Sequence, residues 1–156
     1  MTKKTKQILI AIGIPLLLGG LSALATMGSM DTYSMLNSPP LSPPSWLFPV
    51  VWTILYALMG LSSYFILRND MNTTLRNRAL LLYGIQLVMN VIWPLVFFEL
   101  GAYWFAFFWL VALLILVIAT TVSFSRISRP AAWMLVPYIL WLTFAAYLNL
   151  GVAILN

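Results

Sequence analysis

The amino-acid sequence predicts an all-α integral membrane fold, a bundle of five transmembrane helices, and two observations carry that expectation. Hydrophobic residues make up 63% of the 156 and charged residues only 7%, against roughly 25% charged in an ordinary soluble domain. Such a chain cannot build a water-facing surface. Its apolar residues also run in five stretches, 7–29, 46–67, 79–98, 102–124 and 131–154, each near the roughly 20 residues that cross a bilayer as a helix. Runs such as Leu110 to Ile118 lack the two-residue alternation of a membrane β-strand, so helices are the structure left to satisfy the backbone in lipid. No soluble domain is left over, and residues 1–156 are expected to form a single membrane domain.

The first span follows Lys3, Lys4 and Lys6 and contains Gly13, Pro15, Gly19 and Gly20. Two readings of it are open. The lysines, the apolar run Ile8 to Leu18 and Ala23-Leu24-Ala25 imitate a cleavable signal peptide. The four-residue spacing of Gly19 and Ala23 instead suits an uncleaved helix that lets a neighbour's backbone approach. The second reading is adopted. Between this span and the next lies a loop, 30–45, in a region rich in proline: Pro39, Pro40, Pro43, Pro44 and Pro49 are five of the chain's nine. Proline fixes φ, so the loop reads as a shaped lid, with Pro49 tolerated in the first turn of the next helix.

The second span carries Trp52, Tyr56, Met59 and Ser63 near one face, and the third carries Tyr83, Gln86, Asn90, Trp93 and Phe97 at steps of three and four. A buried amide in hydrocarbon needs a partner. Gln86 and Asn90 either bridge helices or orient a ligand in a cavity that the rings line. The fourth span offers small residues, Ala112 and Ala119, for helix pairing, which ordinary bundle packing explains equally well. Tyr138, Trp141, Ala145 and Leu148 recur at helical spacing in the fifth. Trp46, Trp104 and Trp133 sit where interfacial anchors are expected, whereas Trp52, Trp93 and Trp141 lie deeper and come from three helices. Pro94 and Pro137 free carbonyls within the third and fifth spans, either as packing kinks or to widen a cavity.

All eight basic residues fall on one side of this map: Lys3, Lys4, Lys6, Arg68, Arg76, Arg78, Arg126 and Arg129. The positive-inside rule makes that side cytoplasmic, with the N-terminus inside and the lid and Asn156 outside. Asp31 and Glu99 then lie on the outer face. The net charge of +5 is thus a matter of topology, and no nucleic-acid partner is expected. Without Cys or His the chain has no disulfide, no Ser-His or Cys-His catalysis, none of the usual zinc sites and neither of the two commonest haem axial ligands. No cofactor or metal is expected. No charge sits centrally in a span, which argues against an ion channel or a proton relay, and no internal repeat points to an inverted-repeat transporter.

Three spaced motifs are distinctive together. Tyr33-x-x-Leu36-x-x-Pro39-Pro40-x-x-x-Pro44-x-Trp46-x-Phe48 leads into Val51-Trp52-Thr53-x-Leu55-Tyr56. Then come Tyr83-x-x-Gln86-Leu87-x-x-Asn90-x-x-Trp93-x-x-x-Phe97-Phe98 and Arg129-Pro130-Ala131-Ala132-Trp133 through Tyr147-Leu148-Asn149. In this order, over nearly the whole chain, they resemble the tryptophan-rich sensory protein or translocator protein family, formerly the peripheral-type benzodiazepine receptor. The resemblance implies a bundle, often a homodimer, that binds tetrapyrroles such as protoporphyrin IX and isoquinoline- or benzodiazepine-type ligands under the first loop. Carried over by position, the ligand-binding residues are Tyr33, Pro44, Trp52, Tyr56, Asn90, Trp93, Trp141, Ala145 and Leu148. Trp52 and Trp141 match the tryptophans proposed to act in light-dependent porphyrin breakdown. Three positions depart from the family pattern. Val50 follows Pro49 where many relatives place the proline, Ser38 replaces a basic residue before the double proline, and no Lys or Arg follows Tyr147 to complete the animal cholesterol motif.

Three functional readings follow: a receptor or carrier for porphyrin or another flat apolar molecule, a photochemical porphyrin-degrading enzyme, and a regulatory partner of other membrane proteins. The N-terminus lacks the composition of a transit peptide, so a bacterial cytoplasmic membrane is the expected multi-pass location.

Overall fold

A computed structural model of the chain describes residues 2–29, 34–69 and 73–156. Five helices dominate it: α1 Lys3–Ala25, α2 Leu47–Leu67, α3 Thr73–Pro94, α4 Tyr103–Ser125 and α5 Arg129–Leu155. All five, counting α3 with its continuation to Glu99, are long and apolar enough to cross a membrane, and no strand occurs among the described residues. The first helix starts and ends earlier than its apolar stretch because the polar lysines join it. Thr2 caps it, its Oγ1 accepting from Thr5 N at 3.2 Å, and the chain tightens into a short 3₁₀ turn at Met27–Ser29. Ser128 caps α5 in the same way, with Pro130 in its first turn, where a missing N–H costs nothing.

Short connections make successive helices antiparallel, and the bundle closes in the order α1, α2, α5, α4, α3. Helix α1 packs mainly on α2 and only lightly on α3. Outward faces of α1 (Leu9, Leu17, Leu21, Leu24) and α4 (Phe105, Phe108, Ile115, Ile118) are exposed and apolar, as lipid contact requires. Trp46, Trp104 and Trp133 are exposed at the helix ends, where interfacial anchors belong.

Lipid tails are as apolar as leucine, so burial of apolar side chains adds little to helix association here. Close packing and interhelical hydrogen bonds must do it. Gly60 of α2 lies so near α1 that a Cβ there would come within 2.5 Å of the Ala11 carbonyl and the Ile12 Cα. The Ala11 carbonyl is the one that Pro15, having no N–H, leaves without a helical donor. Gly19 of α1 is equally tight, because a Cβ would sit inside the Tyr56 ring. Ser62 Oγ donates to the Ala131 carbonyl at 2.7 Å, and Ser22 Oγ to the Val91 carbonyl at 2.9 Å, tying α2 to α5 and α1 to α3.

Pro94 ends the regular part of α3, and Leu95–Glu99 continue it as a wider π-helical turn. Gly101, at φ 58°, then reverses the chain into α4. Of the sequence-predicted lid, residues 34–45 are described, and Asn37, Pro39 and Pro40 among them pack on the end of α5. Asn37 N–H donates to Asn156 Oδ1 and Asn156 Nδ2 donates back to the Asn37 carbonyl, both at 3.0 Å, while Tyr147 OH donates to the Pro40 carbonyl at 2.8 Å. Pro39 seats on Gly151, where any side chain would collide with its ring. The turn Pro39–Ser42 has proline second and a positive φ of 67° at Leu41 third, a place usually taken by glycine.

Gly60→Ala is expected to force α1 from α2 and destabilise the bundle by about 1–3 kcal/mol, the usual cost of overpacking. Thermal unfolding in detergent reads this directly. An unchanged midpoint would show that the close approach at Gly60 contributes nothing.

Candidate functional site

A cavity of about 630 Å³ opens at the lid end of the bundle. It is walled by four helices because α1, held close to α2 at Gly19 and Gly60, leaves room beside α3 and α5. Rings are prominent in its lining: Phe48, Trp52 and Tyr56 from α2, Trp93 from α3 and Phe97 from its π-helical continuation, and Trp141 from α5. Neighbouring rings brace one another. Trp52 leans on Tyr56 at 5.6 Å between centroids and meets Tyr138 edge-on at 6.2 Å. Phe48 meets Trp141 edge-on at 5.9 Å, and Trp93 stacks on Phe97 at 5.2 Å. Such offset and edge-to-face pairs hold indole faces in fixed orientations. Pro94 also lines the cavity, so the π-helical turn that follows it borders this space.

Among the described residues, no charged side chain lines the cavity. Its polar groups are mostly engaged within the protein. Tyr56 OH donates to Asn90 Oδ1 at 2.7 Å, Asn90 Nδ2 donates to Tyr138 OH, and Tyr138 OH donates to Gln86 Oε1 at 3.0 Å. Gln86 Nε2 reaches the Met59 sulfur at 3.9 Å. Asn90 and Gln86 are each 1% exposed and Tyr138 is fully buried. Both amides therefore bridge α2, α3 and α5, and Asn90 additionally faces the cavity floor. Trp93 Nε1 donates to Asn149 Oδ1 at 3.2 Å, and Asn149 Nδ2 to the Tyr103 carbonyl at 2.8 Å, which joins α3 to α5 and to the start of α4.

One donor stands apart. Trp141 Nε1 is buried at the cavity wall with no hydrogen-bond partner. Leaving a buried N–H unpaired costs about 1–3 kcal/mol, which a ligand acceptor placed there would recover. An apolar chamber with few uncommitted polar groups suits a flat, largely hydrophobic molecule carrying an oxygen acceptor.

Seven of the nine residues assigned from the sequence meet in this one cavity: Trp52, Tyr56, Asn90, Trp93, Trp141, Ala145 and Leu148. Pro44 does not line it. Its carbonyl instead accepts from Leu47 N–H at 3.0 Å, starting the first turn of α2, and Ser45 next to it reaches the cavity. Tyr33 lies outside the described residues. The helical stripe of α3 divides: Asn90, Trp93 and Phe97 face the cavity, Gln86 is sealed in the core, and Tyr83 lies beyond it toward the basic end. Sequence reasoning missed the α1 wall, where Gly20 and Ser22 join Gly19 and Ala23, because small residues carry no chemical signature. Asn149 was missed as well, although it follows Ala145 by four residues and so shares its face.

Tyr138→Phe removes the hydroxyl that both accepts from Asn90 and donates to Gln86, leaving two buried amides short of a partner. A loss of about 1–3 kcal/mol is expected, which should lower the apparent Tm in detergent by roughly 2–4 °C per kcal/mol for a chain of this size.

Comparison with known proteins agrees with this architecture. The TspO/MBR family matches residues 11–155. The chain is 34% identical over 157 residues to the tryptophan-rich protein TspO of Chlorobaculum tepidum, covering all of this chain and 99% of that protein. It is 38% identical over 147 residues to the translocator protein of Bos taurus, covering 89% and 85% of the two chains. With the tryptophan-rich sensory protein of Cereibacter sphaeroides the identity is 33% over 143 residues, covering 89% and 88%.

Proposed function

This chain belongs to the TspO/MBR family of multi-pass membrane proteins, and on that premise we propose that it is a receptor or carrier for tetrapyrroles such as protoporphyrin IX. Isoquinoline- or benzodiazepine-type molecules would share the same site. The observation that carries this reading is the lid-end cavity itself, about 630 Å³ of ring-walled, uncharged space with the unpartnered Trp141 Nε1 on its wall. A flat ring system would gain about 25 cal/mol per Å² of apolar area removed from water, less the cost of ordering. Its acceptor would take the Trp141 N–H, and charged propionates would remain at the mouth. Among the described residues, no side chain on the cavity wall is an obvious acid or base, so the reading is binding without acid–base turnover. The names of the relatives, translocator and sensory protein, are compatible with such binding.

The chain has neither His nor Cys, so iron would gain no imidazole or thiolate ligand. Metal-free porphyrin is therefore expected to bind at least as tightly as haem. A second reading rests on Trp52 and Trp141 facing one chamber: a bound porphyrin excited by light would draw an electron from a neighbouring indole, with dioxygen as the final oxidant. Homodimerisation, and residence in a bacterial cytoplasmic membrane with the basic ends inside, complete the proposal.

Titration of protoporphyrin IX in the dark into detergent-purified protein should saturate, and Trp141→Phe should weaken it roughly fivefold for the loss of one hydrogen bond. Non-saturable uptake would sink the cavity as a binding site. Illumination of the complex separates the two readings: a discrete product that disappears in Trp52→Phe or Trp141→Phe despite retained binding marks an enzyme, and no discrete product leaves a receptor or carrier. Orientation has its own check. The chain lacks cysteine, so Lys4→Cys should resist an impermeant thiol reagent in whole cells while Asn156→Cys reacts, and the reverse pattern would invert the topology.

A further inference from the structure

A second crevice, of about 330 Å³, lies at the opposite, basic end of the bundle. It exists because α1 is pinned to α2 at Gly60 and to α3 only farther along, by Ser22 on the Val91 carbonyl. Between those helices the N-terminal half of α1 leaves a cleft that opens toward the lipid. Its apolar walls are Ile10, Ala11, Ile14 and Pro15 of α1, Leu67 of α2 and Leu80 of α3. Gln7, Tyr64 and Arg68 stand at its polar rim.

Arg68 is held there with one face occupied. Its Nη1 donates to Tyr64 OH at 3.2 Å and its guanidinium lies over the Tyr64 ring, 5.5 Å from the centroid. A guanidinium has five N–H donors in a planar fork, so most of it remains available to a phosphate, the anion that fork fits best. Lys4 sits three residues before Gln7, one helical turn toward the end of α1, and adds charge near the rim. Deeper in the crevice, Tyr83 is 9% exposed and its hydroxyl, with no partner at normal hydrogen-bond geometry, lies buried beside Ser63, whose own hydroxyl donates to the Gly60 carbonyl. A phosphate at the rim, a buried hydroxyl deeper in, and an apolar groove beside it follow the order of groups along a glycerophospholipid.

The geometry points to a site for one anionic phospholipid in this crevice: headgroup phosphate on Arg68, an ester carbonyl toward Tyr83 OH, and one acyl chain along Ala11, Ile14 and Leu80. The site is separate from the lid-end cavity, since the sealed layer of Met59, Gln86 and Tyr138 lies between them. Its occupant is the membrane's own lipid, and its position at the basic end matches a leaflet rich in anionic headgroups.

Native mass spectrometry of the full chain, taken from nanodiscs of equal phosphatidylglycerol and phosphatidylcholine, tests this. One phosphatidylglycerol should be retained per chain in preference to phosphatidylcholine. Arg68→Gln should lower that preference roughly tenfold, the loss of one charged hydrogen-bonded contact. Ile10→Trp, placed on an exposed position of the crevice wall, should remove the bound lipid altogether. Arg78→Gln, at the same end but off the crevice, should change nothing, and thermal unfolding should show each variant folded. Equal retention of the two lipids, an Arg78→Gln effect as large as that of Arg68→Gln, or displacement of the lipid by millimolar inorganic phosphate would each overturn the assignment.

Discussion

The buried chain of hydroxyls and amides from Tyr56 through Asn90 and Tyr138 to Gln86 is the constraint on which the rest of the bundle depends. In hydrocarbon an unpaired amide has no water to turn to, so these side chains must find one another across α2, α3 and α5. Leucine-on-leucine contacts tolerate a slipped register, because one apolar neighbour serves as well as the next. A hydroxyl that must accept from one amide and donate to another does not. The chain therefore sets how α2, α3 and α5 stand relative to one another, and each member is nearly or fully buried.

The same layer divides the interior. On one side lies the ring-walled cavity beneath Phe48 and Trp141, and on the other the crevice under Arg68. A single helical face of α3 serves both, with Trp93 and Asn90 toward the first, Tyr83 toward the second, and Gln86 closing the floor between. Polar residues within a membrane bundle are commonly read as ligand contacts. Here Gln86 is spent wholly on architecture, and Asn90 is both a bridge and part of the cavity floor. The uncommitted polarity of the cavity is on an indole instead, Trp141 Nε1.

Helix α1 is the least enclosed of the five, yet it forms one wall of each space. Its small residues permit this. Gly19 admits the Tyr56 ring and Gly60 opposite admits the Ala11 carbonyl, so two points of close approach hold the helix while the rest of its inner face stays clear. The lid is anchored differently, through Asn37, Pro39 and Pro40 on the end of α5. The two elements that border the cavity mouth are thus fastened to different helices, α1 to α2 and the lid to α5.

Much of this was legible from residue order alone. Five spans, their common basic end and the helical stripes of α2, α3 and α5 follow from hydropathy, charge placement and a 3.6-residue period, which are local properties of the chain. Motif spacing also placed Trp52, Asn90, Trp93 and Trp141 on inward faces. Periodicity names a face and not what that face meets, so the partners of Asn90 and Gln86, the absence of Pro44 from the cavity wall and the missing partner of Trp141 emerged only when the helices were packed. The crevice at Arg68 belongs to the same class: no motif marks it, since its shape comes from where α1 touches α2 and where it does not. Helices form because each backbone group is satisfied within its own segment, whereas cavities and hydrogen-bond partners arise between segments far apart in the chain, which residue order cannot display.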